Sequence, residues 1–185
     1  METLSSIKMD VDTTNGSHAG KEEVRQASEV KFLTKVFDFV TSKRFELNNI
    51  TSELRALVKR SSVQDGILNV SSLHTTTALF INEYQNALLD DIKGFLEGLV
   101  GQSESSRHHC NHTHSSEKGY KHNCPHCSDC DRSNTDAHLG ATVLGHNLCL
   151  QIAGGQLILG QWQSIILAEL DGPRKRTLVT QIIGS

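Results

Sequence analysis

The sequence predicts an α+β fold in a single domain, on three observations. Apolar runs of strand character outnumber those of helical period. The two kinds do not alternate as regular βαβ units. The length, 185 residues with 37% apolar side chains, provides for one hydrophobic core rather than two.

Taken in order, residues 1–28 are polar, mixed in charge and without period, and are expected to form a disordered tail. The ordered domain is expected over 29–185. "VKFLTKVFDFVT" is rich in β-branched and aromatic residues and reads as a long strand, continued after a turn by Arg44 to Leu47. "NNITSELRALVKRSS" places Ile50, Leu54, Leu57 and Val58 on one helical face, with Asn or Thr as N-cap. Gly66 then precedes two short strand-like runs in "ILNVSSLHTTTALFIN", with Leu68 and Val70 sharing a face. "NALLDDIKGFLEGLV" returns to helical period through Leu88, Ile92, Phe95 and Leu99, leaving Asp90 and Asp91 solvated beside that stripe.

From about 101 to 133 every period is broken. This Cys/His-rich insertion holds six of the ten histidines and four of the five cysteines, and a loop of such length is functional or disordered. Order resumes in "TDAHLGATVLG", a helix with Thr135 as expected N-cap and Gly145 as stop. The remainder reads as strands. "NLCLQIA" and "QLILGQWQSIILAEL" flank a Gly154-Gly155 hairpin turn, and "KRTLVTQIIG" follows a turn at Asp171-Gly172-Pro173.

Charge and composition narrow the function classes. The net charge is −3 and the pI about 6.3. No Lys/Arg block suggests a nucleic-acid footprint. No apolar run approaches the roughly 20 residues of a membrane span. The N-terminal stretch lacks the apolar segment of a signal peptide. A cytoplasmic protein is expected, whose clustered cysteines bind metal or stay free rather than form a disulfide frame.

Four groups of residues carry candidate chemistry. His74-Thr75-Thr76-Thr77 opens a short apolar strand that Asn82 and Glu83 close. Hydroxyls there suit phosphate oxygens, and an imidazole suits a metal or a proton, although threonines also simply suit a pleat. His122-Asn123 and Asn134-Thr135-Asp136-Ala137-His138 bracket the start of the third helix, where backbone N–H groups favour anions. Gln161, Gln163 and Glu169, read as one extended strand, share an apolar face with Leu157, Leu159 and Ile165, with Trp162 on the other. Polar groups on such a face need partners if buried. Arg174, Lys175 and Arg176 follow, and guanidinium forks suit phosphate. Last, Cys124, Cys127 and Cys130 recur at metal-ligand spacing, with His126, His122 or a histidine of "RHHCNHTH" as fourth ligand for zinc. The spacing also matches the start of an iron–sulfur run, but position 134 is Asn rather than a further Cys.

"LHTTTALFINE", "YKHN", "NTDAHLGATVLG" and "GGQLILGQWQSIILAELDGPRKR" occur in the order and approximate spacing of the YjbQ-like family, and from about Val30 onward the chain resembles its members. "LGQWQSI" stands where that family has "LGTWQGI". The resemblance implies an antiparallel β-sandwich of about seven strands with two to three helices, assembled as a homotrimer with sites near subunit interfaces. It implies secondary thiamine-phosphate synthase activity, joining hydroxymethylpyrimidine diphosphate to a thiazole phosphate with release of diphosphate. It maps the family histidines onto His74, His122 and His138 as a catalytic or divalent-metal cluster, zinc being the first candidate. Asn82, Glu83, Asn123 and Asn134 support that cluster, Thr75, Thr76 and Gln163 face substrate, and Arg174 holds phosphate. The chain departs from the family at Cys124, where "HND" is common, and in its Cys/His-rich insertion. The usual thiamine-phosphate synthase is a βα barrel, which so β-rich a chain is not. Two other readings follow: a trimeric metal-binding or metal-sensing protein, and a hydrolase or transferase acting on another phosphorylated metabolite.

Overall fold

A computed structural model describes residues 29–101, 120–124, 128–129 and 131–185. The expected N-terminal tail, most of the insertion and, with it, Cys127, Cys130 and His126 lie outside the described residues. Eight strands and three helices follow in the order β1 (Lys31–Val40), β2 (Glu46–Asn49), α1 (Thr51–Ser61), β3 (Gly66–Ser72), β4 (Thr77–Asn82), α2 (Asn86–Val100), a 3₁₀ turn (Lys121–Asn123), α3 (Thr135–Leu144), β5 (Asn147–Ala153), β6 (Gln156–Leu157), β7 (Ser164–Glu169) and β8 (Lys175–Gly184). Among the described residues no helix is long and apolar enough to cross a membrane.

The strands form two antiparallel sheets, β1-β8-β3-β5-β6 and β2-β7-β4. Alternation decides how they meet. Leu68 and Val70 of β3, Leu150 and Ile152 of β5, and Leu178 and Ile182 of β8 face Leu79 of β4 and Ile165 and Leu167 of β7 across the main core. Each such side chain contributes about 1.5–3 kcal/mol by leaving water. α1 closes one edge with Leu54, Leu57 and Val58, the stripe its period predicts. The side chain of Asn49 accepts the Thr51 N–H at 3.0 Å, so an Asn does serve the start of this helix, from one position before the Ile50 cap.

The other face of the smaller sheet is also covered. Ala78 and Ala168 meet Ala137 and Ala141 of α3, with Leu170 beside them. Small side chains on both surfaces let the helix lie close. β7 is therefore buried on both faces, and its run Ile165-Ile166-Leu167-Ala168 is continuously apolar rather than alternating.

Three sequence expectations change. In α2 the buried positions are Leu96 and Val100, while Phe95 and Leu99 are 65% and 53% exposed. α2 meets α3 along a narrow seam, and the sequence cannot say which side of a broadly apolar helix forms it. Thr135 is the first residue of α3 rather than its cap. The "QLILGQWQSI" run is not one strand. β6 ends at Leu157, and Gln161, Trp162 and Gln163 sit exposed around a turn closed by Gly160 N–H donating to Gln163 Oε1 at 2.7 Å.

Candidate active site

The organising feature is a buried ion pair at one end of the sandwich. Glu169 ends β7 on the inner face, in phase with Ile165 and Leu167, and Arg176 enters β8 in phase with Leu178. The two sheets thus contribute opposite charges to one spot. Arg176 Nε donates to Glu169 Oε2 and Nη2 to Oε1, both at 2.5 Å, with the side chains 4% and 0% exposed. Thr41 Oγ1 donates to Glu169 at 2.9 Å, and the Asp171 N–H donates at 2.8 Å. Arg176 Nη2 also reaches Thr76 Oγ1 at 3.0 Å. A side chain at Gly172 would collide with Glu169 Cγ, 2.7 Å from where its Cβ would stand.

His74 lies against this pair. Its Nε2 accepts the Thr177 N–H at 2.8 Å. That bond assigns the proton to Nδ1 and commits the Nε2 lone pair. Burial lowers the pKa of His74 below 6.5, and the Arg176 charge lowers it further against the opposing pull of Glu169. A His whose folded pKa is depressed binds fewer protons folded than unfolded in the interval between the two values. The stability it supports is present above about pH 6.5 and is lost as pH falls toward the lower folded value. Urea titrations across that interval should show this loss, and His74→Gln should flatten it.

A second cluster hangs from the first. Asp171 Oδ2 accepts Asn134 Nδ2 at 2.7 Å and Arg174 Nη2 at 2.8 Å, and lies 3.8 Å from Arg132 Nη1. Arg174 Nε donates to the Asp171 carbonyl at 2.7 Å. Asn134 is 5% exposed, and its Oδ1 has no hydrogen-bond partner among the described residues. Asn123 Oδ1 accepts Thr135 Oγ1 at 2.6 Å and Thr135 N–H at 3.2 Å, which ties the 3₁₀ turn to the first turn of α3. That tie brings His122 to His138, with ring centroids 5.1 Å apart. His122 Nδ1 is buried with no partner among the described residues. Asn123→Ala removes a remote helix cap. It is expected to cost about 0.5–2 kcal/mol in urea denaturation and to raise the hydrogen-exchange rates of residues 135–138.

The chain does not gather in one place all the residues singled out from sequence. Thr77 pairs with Glu169 and Asn82 with Ser164 at opposite ends of β4. Five residue steps put about 16 Å between those ends. His74, Thr76, Asn134 and Arg174 belong to the Glu169 end, and through Asn123 so do His122 and His138. Thr75 is exposed there. Asn82, Glu83 and Gln163 are exposed at the far end, where Asn82 Oδ1 only accepts the neighbouring Glu83 N–H at 2.9 Å. Cys124 is buried directly after His122 and Asn123. Among the described residues no three His, Cys, Asp or Glu side chains converge as a ligand set. Sequence reading missed Thr41, Asp171 and the Glu169–Arg176 pairing. Two charged residues in phase with core positions on strands consecutive in the chain were the available signal for that pair.

The fold and this rim define a class: a two-sheet α+β protein with a buried ion pair that organises a histidine- and arginine-bearing edge. A family model described as UPF0047 protein YjbQ-like matches residues 35–185, and the chain belongs to that family. A UPF0047 protein of Methanothermobacter thermautotrophicus is 40% identical over 78% of this chain and 87% of its own length. YugU of Bacillus subtilis, also a UPF0047 protein, is 28% identical over 82% of this chain and 100% of its own. Among solved structures, a YbjQ-like protein of unknown function from Sulfolobus solfataricus superposes with a TM-score of 0.71 at 31% identity. That match covers 85% of this chain and 100% of the other.

Proposed function

We propose that the chain is a cytoplasmic transferase with secondary thiamine-phosphate synthase activity, acting on phosphorylated small molecules as a homotrimer. The observation that carries the reading is the pairing of His122 with His138 at the start of α3, whose cap Asn134 is linked through Asp171 to Arg174 and Arg132. Basic side chains there suit a diphosphate. In the reaction a thiazole nitrogen attacks the methylene carbon of hydroxymethylpyrimidine diphosphate. The new C–N bond forms as the C–O bond to diphosphate breaks, and the leaving group takes the electron pair. Arg174 and Arg132 offset the charge that develops on diphosphate. His74 donates from Nδ1 to a phosphate oxygen, since its Nε2 is occupied by Thr177.

The buried, unpartnered Nδ1 of His122 beside the His138 ring fits a divalent ion such as zinc. Bound by these two histidines, the ion would supply further positive charge to the leaving group. Assembly of three copies gives Asn82, Glu83 and Gln163 a way to meet a neighbour's His74 end. The exposed Phe32, Val36 and Val40 alternate along the outer face of β1 as an apolar surface for such packing. The test is to incubate metal-defined protein with the two precursors, quantify thiamine phosphate by chromatography, and measure mass by sedimentation. Thiamine phosphate above the protein-free rate from a trimer is expected. No product from well-folded, zinc-loaded trimer overturns the synthase reading in favour of another phosphorylated substrate.

A further inference from the structure

One cavity lined by described residues lies away from the histidines. It is a cleft of about 570 Å³ between the C-terminal half of α1 and the β5–β6 turn. It sits at the Gly66 end of β3, six residue steps or about 20 Å along the strand from the end that leads to His74. Its volume lies within the range of small-molecule sites.

Its lining is asymmetric. Arg55 and Lys59 stand one helical turn apart along one edge, both exposed. No carboxylate lines the cleft, and neither cation has an ion-pair partner among the described residues. Like charges at this spacing weaken a helix slightly, so an anion between them would relieve repulsion as well as gain two charged donors. Val58 and Leu157 are buried, Leu159 is half-buried, and together they give an apolar floor. Gln64 completes the rim. Its carbonyl accepts the Gly155 N–H at 2.9 Å, and its side-chain amide lies 3.4 Å from where a Gly155 Cβ would stand. The left-handed φ of +72° at Gly155 favours glycine here. The Gln64 amide has no hydrogen-bond partner among the described residues and is exposed, free to meet a ligand.

We propose that this cleft is a second small-molecule site, taking an organic phosphate monoester of nucleotide size. Arg55 and Lys59 bind the phosphate, the apolar floor carries a ring, and the Gln64 amide meets its polar edge. The site is separate from the histidine end and does not depend on the activity proposed there.

Calorimetric titration of the full chain with adenosine monophosphate tests this, with adenosine and inorganic phosphate as part-ligands. Adenosine monophosphate is expected to bind, and each part-ligand at least about tenfold more weakly. Arg55→Gln/Lys59→Gln, two exposed positions whose change should leave the fold intact, is expected to weaken binding about ten- to hundredfold. Arg60→Gln, on the same helix but outside the cleft, should leave it unchanged. Leu159→Asp, which adds a carboxylate to the cleft, should remove it. The proposal is overturned if the wild-type chain gives no saturable heat, or if the double variant binds as tightly as wild type. It is equally overturned if inorganic phosphate alone matches the nucleotide, or if His122→Ala/His138→Ala abolishes binding while the double variant keeps it.

Discussion

Arg176→Ala is expected to destabilise the fold by about 3–5 kcal/mol, because it leaves the Glu169 carboxylate at zero exposure without its cation. The loss has two parts. Glu169 gives up two charged hydrogen bonds at 2.5 Å and keeps only neutral donors, Thr41 Oγ1 and the Asp171 N–H. Thr76 Oγ1 loses its donor as well. Replacing both partners by apolar residues of similar size, as in Glu169→Leu/Arg176→Met, should recover most of the stability, since neither charge then remains buried alone. Urea denaturation of the three proteins separates these outcomes. A single variant that loses less than about 1 kcal/mol would mean that the pair behaves as a surface salt bridge, contrary to its burial.

On the proposed synthase reading, His122→Ala and His138→Ala should each remove the proposed divalent metal and lower thiamine-phosphate formation by about a hundredfold or more. Their thermal midpoints should stay close to wild type, because neither ring belongs to either apolar core. Cys127→Ser/Cys130→Ser is expected to retain activity and the histidine-bound metal, whatever further metal the insertion takes up. Metal analysis by mass spectrometry alongside the synthase assay reads both. If the cysteine variant loses the activity and the histidine variants keep it, the chemistry resides in the insertion and not at the start of α3.

Much of this architecture was legible in the residues. Alternation in β3 and β8 and the helical stripe of α1 report burial directly, because each element turns one face to one core. Where an element lies between two layers, as β7 does, the apolar run is continuous and carries no orientation. α2 fails for a related reason: apolar residues surround much of it, so period alone could not choose Leu96 and Val100 over Phe95 and Leu99. The turn at Gln161-Trp162-Gln163 was signalled only by Gly160, a single breaker between two apolar runs that together read as one strand. At the site, the family resemblance supplied His122, Asn123, Asn134 and His138 by position, and their link through Thr135 emerges only in three dimensions. Asp171 reads in sequence as an ordinary turn residue. Its contacts with Asn134 and Arg174 depend on a helix 37 positions away in one case and a turn three positions away in the other.

The double burial of β7 has a consequence for how the rim is held. A strand in the middle of its sheet, covered on one side by the other sheet and on the other by α3, cannot expose its amides through fraying at an edge. Its protons should exchange with solvent only when the whole domain opens, at the slowest rate in the chain. Glu169 is the last residue of that strand, and Asp171 follows two positions later. The polar rim is therefore anchored to the part of the molecule that lets go last, while the 3₁₀ turn bearing His122 is joined to it through the side chain of Asn123. Motion at the rim should be confined to that outer turn, so His122 can adjust to a ligand while His138, Glu169 and Asp171 stay in place.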